Sequence, residues 1–193
     1  MRNSEAGLRD GPARGTILLV CRANAARTPL ATAMLRRRLA QLGAHGITVV
    51  SAGTETGPDI ALQPEAQRVA AARGLDRAAH VIRGIDERAV QADLIVTMTE
   101  SLRDQLTRTW PGLLARSFTL MELDRLLVAA EGPFAGLSDL AGKAHAVRPV
   151  TPAPSAPEDV EDPAGKSARF YDRTADTLEA LVNRLAENVK APT

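Results

Sequence analysis

The chain has 193 residues, of which 45% are apolar, with 24 basic and 23 acidic side chains and a formal charge of +1. These values describe an ordinary globular domain and exclude wholesale disorder and a strong global field for nucleic acid or anionic membrane. A single cysteine excludes an intramolecular disulfide and a cysteine-rich zinc site.

No apolar run reaches the about 20 residues of a membrane helix. The polar opening MRNSEAGLRDGPARG has no apolar stretch of the signal-peptide kind, so a cytoplasmic protein is expected. Residues 1–14 read as a flexible tail and residues 15–193 as one domain. Thr16-Ile17-Leu18-Leu19-Val20-Cys21 has the apolar content of a buried parallel strand. A helical pattern begins at Pro29, with Leu30, Met34, Leu35, Leu39 and Leu42 on one stripe and Gly43 and Gly46 at its end. Ile47-Thr48-Val49-Val50-Ser51 reads as a second strand, residues 64–73 as a helix closed by Gly74, and Leu94-Ile95-Val96-Thr97-Met98 as a third strand. A helix over 100–109, a short strand at 117–120 and a further helix come next. Prolines at 133, 149, 152, 154, 157 and 163 mark residues 131–163 as a long loop, with residues 131–157 a candidate lid or partner surface. A last amphipathic helix starts near Ser167. Alternating strands and helices predict an α/β fold: three layers, α/β/α, around a parallel four-stranded sheet. In such sheets ligands bind at the carboxyl ends of the strands.

The first strand leads into Cys21-Arg22-Ala23-Asn24-Ala25-Ala26-Arg27-Thr28, with five residues between the cysteine and Arg27. A strand–loop–helix turn gathers backbone N–H groups into one concavity, and the helix dipole adds positive potential. Such a nest binds a tetrahedral oxyanion and favours a thiolate at its base. The planar fork of Arg27 can hold two phosphate oxygens, and a thiolate beneath the phosphate is placed for attack on phosphorus. A lone cysteine ending a strand is otherwise an inert small hydrophobe.

The stretch ILLVCRANAARTPLATAML resembles the start of the low-molecular-weight protein tyrosine phosphatase family, with its C-x5-R-[ST] loop. Ser51-Ala52-Gly53-Thr54, His80-Val81-Ile82-Arg83, Ala92-Asp93-Leu94-Ile95-Val96-Thr97-Met98 and Asp159-Val160-Glu161-Asp162-Pro163 resemble further segments of that family, in its order. The resemblance implies a phosphatase I-like fold and a phosphate-monoester hydrolase working through a phosphocysteine, in the manner of a protein tyrosine phosphatase. It implies Cys21 as nucleophile, Arg27 as phosphate clamp and Asp162 as general acid. Glu158, Asp159 and Glu161 are the other acids of that loop, and the residues alone do not choose among the four. Arg22, Ala23, Asn24, Ala25, Ala26 and Thr28 would line the phosphate through the loop backbone and the Thr28 hydroxyl. Ser51 and His80 would brace the loop. Thr28 could instead cap a helix, Ser51 end a strand, and His80 be a core or surface histidine.

Some positions depart from the family pattern. Ala23 stands where the family commonly has glycine, and would be strained at positive φ. Ala164 stands where an aromatic commonly follows the Asp-Pro pair, and residues 55–63 contain no aromatic. Phe134 or Tyr171 could replace these as a ring wall. Ala25 stands where relatives acting on phosphoarginine carry threonine. His45, His80 and His145 share no metal-ligand spacing, so no metal and no cofactor are expected. The expected substrate is a phosphorylated protein or a small phosphate ester, with no nucleic-acid or membrane partner, for a monomer or weak homodimer. Two other readings remain open: arsenate reduction coupled to an external thiol, and a catalytically silent phosphate-binding module.

Overall fold

The computed structural model describes residues 15–76, 80–87 and 89–189. Four strands, β1 (Gly15–Cys21), β2 (Ile47–Gly53), β3 (Leu94–Thr97) and β4 (Ser117–Thr119), form a wholly parallel sheet in the order β2-β1-β3-β4. Strand side chains alternate between the two faces, and both faces of β1 are apolar. Ile17, Leu19 and Cys21 join the larger core, while Leu18 and Val20 join a smaller one. The larger core is filled from α1 (Arg27–Gln41), α2 (Pro64–Ala72), α4 (Leu120–Ala130), α5 (Leu137–Val147) and α6 (Ala168–Val189). The smaller core packs against Leu106 of α3 (Glu100–Thr109) and Leu113 of a 3-10 turn. This is the expected three-layer architecture, with the helices unevenly divided between the faces.

The stretch 131–163 is not one long loop. Its residues Leu137–Val147 form α5 and bury Leu137, Leu140, Ala141 and Ala144. Those positions recur at i, i+3, i+4 and i+7, on one helical face. No proline lies between Pro133 and Pro149, so nothing prevents the helix. The high Ala, Gly and Ser content hid this periodicity. A helix committed to the core cannot serve as a lid, so that expectation falls for this part of the segment. The proposed tail, residues 1–14, lies outside the described residues.

The sheet orders the site. β1 and β2 run in register to Cys21 and Gly53, and the Thr54 and Glu55 amides donate to the Cys21 and Arg22 carbonyls at 3.1 and 2.8 Å. The extended segment 81–85 pairs with the end of β2, where Gly53 N donates to Arg83 O and Ile85 N to Gly53 O. The carboxyl ends of β1, β2 and β3 therefore converge on the turn after Cys21.

Candidate active site

Cys21 is buried at the end of β1, and residues 22–26 carry the chain to α1. The N-terminus of α1 has no side-chain cap, whereas Thr99 caps α3 and Thr119 with Glu122 makes a capping box on α4. Among the described residues, no backbone N–H of residues 22–27 has a protein acceptor. Unpaired amides at a helix start are an anion site, and the helix dipole adds to it.

Asn24 shapes the loop. It adopts φ +54°, which asparagine tolerates better than most residues. It is fully buried, with its Oδ1 accepting from Thr28 Oγ1 at 2.8 Å and its Nδ2 donating to Ser51 O at 3.4 Å. His80 Nε2 lies 2.9 Å from the Asn24 carbonyl, which can only accept, so that nitrogen carries the proton. Burial, with Arg36 and Arg83 nearby, holds the His80 pKa below its ordinary value, and the bond to Asn24 opposes this only in part. Ala23 is not at positive φ, so the strain foreseen there falls on Asn24 instead. Thr28 does not cap the helix; its hydroxyl lies 3.1 Å from Cys21 Sγ. Ser51 serves through its carbonyl rather than its hydroxyl.

Gly53 is a residue that the motif reading did not single out. A Cβ there would fall 2.7 Å from Arg22 O and 2.9 Å from the Ala23 carbonyl carbon. Only a glycine lets β2 lie against the loop. The Arg22 side chain turns outward and pairs with Glu55 at 2.6 Å, so Arg22 contributes its backbone alone to the nest.

Arg27 is 4% exposed. Its Nη1 donates to Val160 O at 3.0 Å and its Nη2 to Asp162 Oδ2 at 2.5 Å. The four acids of the loop thereby separate. Glu158 is held by both Nε and Nη2 of Arg125 at 2.7 Å, and Asp159 Oδ1 accepts from the Glu100 amide at 2.7 Å. Glu161 lines the cavity, and Asp162 alone meets Arg27. Arg27 thus ties the end of the cysteine loop, with its open amides, to Asp162.

Beside Arg27 and Asp162 opens a trough of about 750 Å³, lined also by Arg22, Glu55, Thr99, Ser101, Leu102, Gln105, Arg108, Pro157, Asp159 and Glu161. Its wall from α3 was not foreseen. No aromatic lines it. Phe134 and Tyr171, the expected substitutes, are both buried in the larger core. Among the described residues, no group of three or more His, Cys, Asp and Glu side chains could hold a metal.

Residues 16–127 match the model of the low molecular weight phosphotyrosine protein phosphatase family. The chain belongs to this family. The probable low molecular weight protein-tyrosine-phosphatase EpsP of Ralstonia nicotianae is 31% identical over 115 residues, covering 59% of this chain and 76% of that protein. The protein-arginine-phosphatase of Geobacillus stearothermophilus is 26% identical over 174 residues, covering 90% of this chain and 95% of that protein. The low molecular weight protein tyrosine phosphatase from T. tengcongensis superposes with a TM-score of 0.69 at 25% identity, over 91% of this chain and 99% of that one. This low molecular weight phosphatase carries its acid loop beyond the span matched by the family model, and the structure brings that loop back to Arg27.

Proposed function

We propose that this phosphatase hydrolyses phosphate monoesters through a phosphocysteine at Cys21, with Arg27 as clamp and Asp162 as general acid and base. The observation that carries the reading is the Arg27 guanidinium, which reaches from the cysteine loop to Asp162, while Glu158 and Asp159 are held by other partners.

A bound phosphate dianion meets the loop amides and Arg27, displacing the Asp162 carboxylate into the space beside the leaving oxygen. Released from Arg27, Asp162 takes up a proton from solvent; the Cys21 thiolate attacks phosphorus, the S–P bond forms as the P–O bond breaks, and Asp162 gives that proton to the leaving oxygen. The Asp162 carboxylate then takes a proton from water as that water attacks phosphorus and releases the thiolate. Thr28, 3.1 Å from the sulfur, turns its hydroxyl proton from Asn24 to the departing thiolate. The loop amides and Arg27 carry the negative charge throughout. Neither arsenate reduction coupled to an external thiol nor silent phosphate binding accounts for an acid held at Arg27.

The substrate in this reading is a phosphorylated protein. A trough without aromatics gives a phosphotyrosine ring no stacking partner, and a ring pair contributes about 0.5–1.5 kcal/mol. That observation favours a second reading, a phosphorylated non-aromatic side chain such as arginine, the residue named for the Geobacillus relative. Among the described residues no helix is long and apolar enough to cross a membrane. Action in the cytoplasm, as a monomer or weak homodimer and without nucleic acid, completes the proposal.

The test is hydrolysis of para-nitrophenyl phosphate and of matched phosphotyrosine and phosphoarginine peptides by the wild type, Cys21→Ser and Asp162→Asn. Turnover lost in Cys21→Ser and slowed in Asp162→Asn supports the assignment, and the ratio of kcat/KM on the two peptides decides the substrate. A wild type that binds vanadate but turns over none of the three overturns the reading.

A further inference from the structure

We propose that Arg125 is a positioning residue for catalysis: by gripping Glu158 it fixes the loop that delivers Asp162. The inference rests on Asp162 being the general acid.

Residues 152–157, rich in proline and exposed, make no hydrogen bond among the described residues. The acid loop comes directly after them. Arg125 closes both ends of this unsupported span. Its Nη1 donates to Thr151 O at 3.4 Å, and its Nε and Nη2 donate to the two Glu158 oxygens at 2.7 Å each. Two-point pairing of a guanidinium with a carboxylate sets orientation as well as distance. The Glu158 side chain is only 9% exposed, so its end of the pair is largely shielded from competing water.

Beyond Glu158 every residue up to Val160 is tied to the scaffold. Glu158 N donates to Glu100 Oε1 at 3.2 Å, Glu100 N to Asp159 Oδ1 at 2.7 Å, and Val160 N to Met98 O at 2.8 Å. Val160 O then receives Arg27, and Asp162 stands two residues later. Arg125 stands on α4, whose Leu123, Leu126 and Leu127 are buried in the larger core, so its backbone is a rigid base. It is therefore the first fixed point after a loose span. Without it, the freedom of residues 152–157 would reach Glu158 and fall on the single hydrogen bonds that hold residues 158–160. A displacement of about 1 Å at a catalytic group can cost on the order of 10²-fold.

A general acid matters most when the leaving oxygen is basic, which gives the test. Arg125→Gln, Arg125→Lys and Glu158→Gln are compared with wild type on phenyl phosphate and para-nitrophenyl phosphate, with the vanadate inhibition constant and the thermal midpoint measured alongside. Arg125→Gln should lower kcat on phenyl phosphate by about 10- to 100-fold and on para-nitrophenyl phosphate by no more than about threefold, with vanadate binding not weakened. Glu158→Gln should behave alike. Arg125→Lys keeps the charge without the fork, and should show the same selectivity at smaller size; it carries the test if Arg125→Gln does not fold. Added to Asp162→Asn, either Arg125 substitution should cost nothing further. Equal losses on both substrates, weakened vanadate binding, or an extra loss in the Asp162→Asn background would overturn the inference. If Asp162→Asn itself shows no greater loss on phenyl phosphate, the general-acid reading fails instead. If it does and the Arg125 variants do not, only the role of Arg125 fails.

Discussion

Arg27 Nη2 lies 2.5 Å from Asp162 Oδ2, joining the buried guanidinium of the cysteine loop to a carboxylate 135 residues further along the chain. In the proposed mechanism the same nitrogen binds phosphate. Substrate binding then exchanges one anion for another on Arg27, and the exchange frees the acid for the leaving group.

Replacing Asp162 with asparagine removes both the competitor and the proton. Hydrolysis of phenyl phosphate should slow by about 10²–10⁴-fold. Vanadate should bind more tightly, because no carboxylate opposes it at Arg27. Inhibition constants check this; an Asp162→Asn protein that binds vanadate more weakly than wild type would contradict the exchange.

Thr28 sits between Cys21 Sγ at 3.1 Å and Asn24 Oδ1 at 2.8 Å. Valine keeps its shape and removes the hydroxyl. A hydrogen bond to a charged partner contributes about 1.5–3 kcal/mol, so Thr28→Val should slow release of the thiolate on the order of 10- to 100-fold. Phosphocysteine should then accumulate, visible as a burst of nitrophenol in stopped-flow traces. A uniform loss with no burst would place the effect at the first step.

Gly53 has no room for a side chain beside the Arg22 carbonyl. Because the obstructing atoms are backbone, the loop must move. Gly53→Ala should raise the vanadate inhibition constant and lower stability by about 1–3 kcal/mol, as overpacking usually does. Vanadate titration beside thermal melts separates the two effects, and unchanged vanadate binding would show that the loop tolerates the methyl.

His80 has its pKa lowered from 6.5, first by burial and then by Arg36 and Arg83, against the pull of the Asn24 carbonyl. The unfolded chain thus binds the proton more readily than the folded one. Stability from this group is present above 6.5 and is lost as pH falls through 6.5 towards the folded value. The unfolding midpoint should drop on acidification through this window, and His80→Gln, which retains a donor for Asn24, should flatten that part of the profile. An identical slope in the variant would assign the titration to another group.

In the proposed mechanism Arg27 and the loop amides supply the positive charge that a phosphate needs. Hydrolysis of para-nitrophenyl phosphate should therefore be the same with and without EDTA. A loss restored by added divalent metal would contradict this.

The strands and most helices were legible because each is encoded locally. Ile17, Leu19 and Leu18, Val20 alternate between two apolar faces, and α1 carries its stripe every three or four residues. The helix α5 was not legible, since alanines at 141 and 144 mark a buried face too faintly for composition to reveal. The cysteine loop was legible from its spacing; its brace was legible in part. Ser51 appeared as a motif residue, yet what the site uses is its carbonyl, which any residue supplies.

By itself the sequence determined the β1–loop–α1 unit, the cysteine and arginine separated by five residues, and the family they point to. Those features sit within a few residues of one another, and local spacing dictates their chemistry. Only the tertiary structure decided which of four neighbouring acids meets Arg27, that Arg125 holds Glu158, that Gly53 must lack a side chain, and that α3 rather than an aromatic walls the trough. Each joins residues far apart in the chain, and such pairings are set by how the helices and loops pack over the ends of the sheet, which no local pattern encodes.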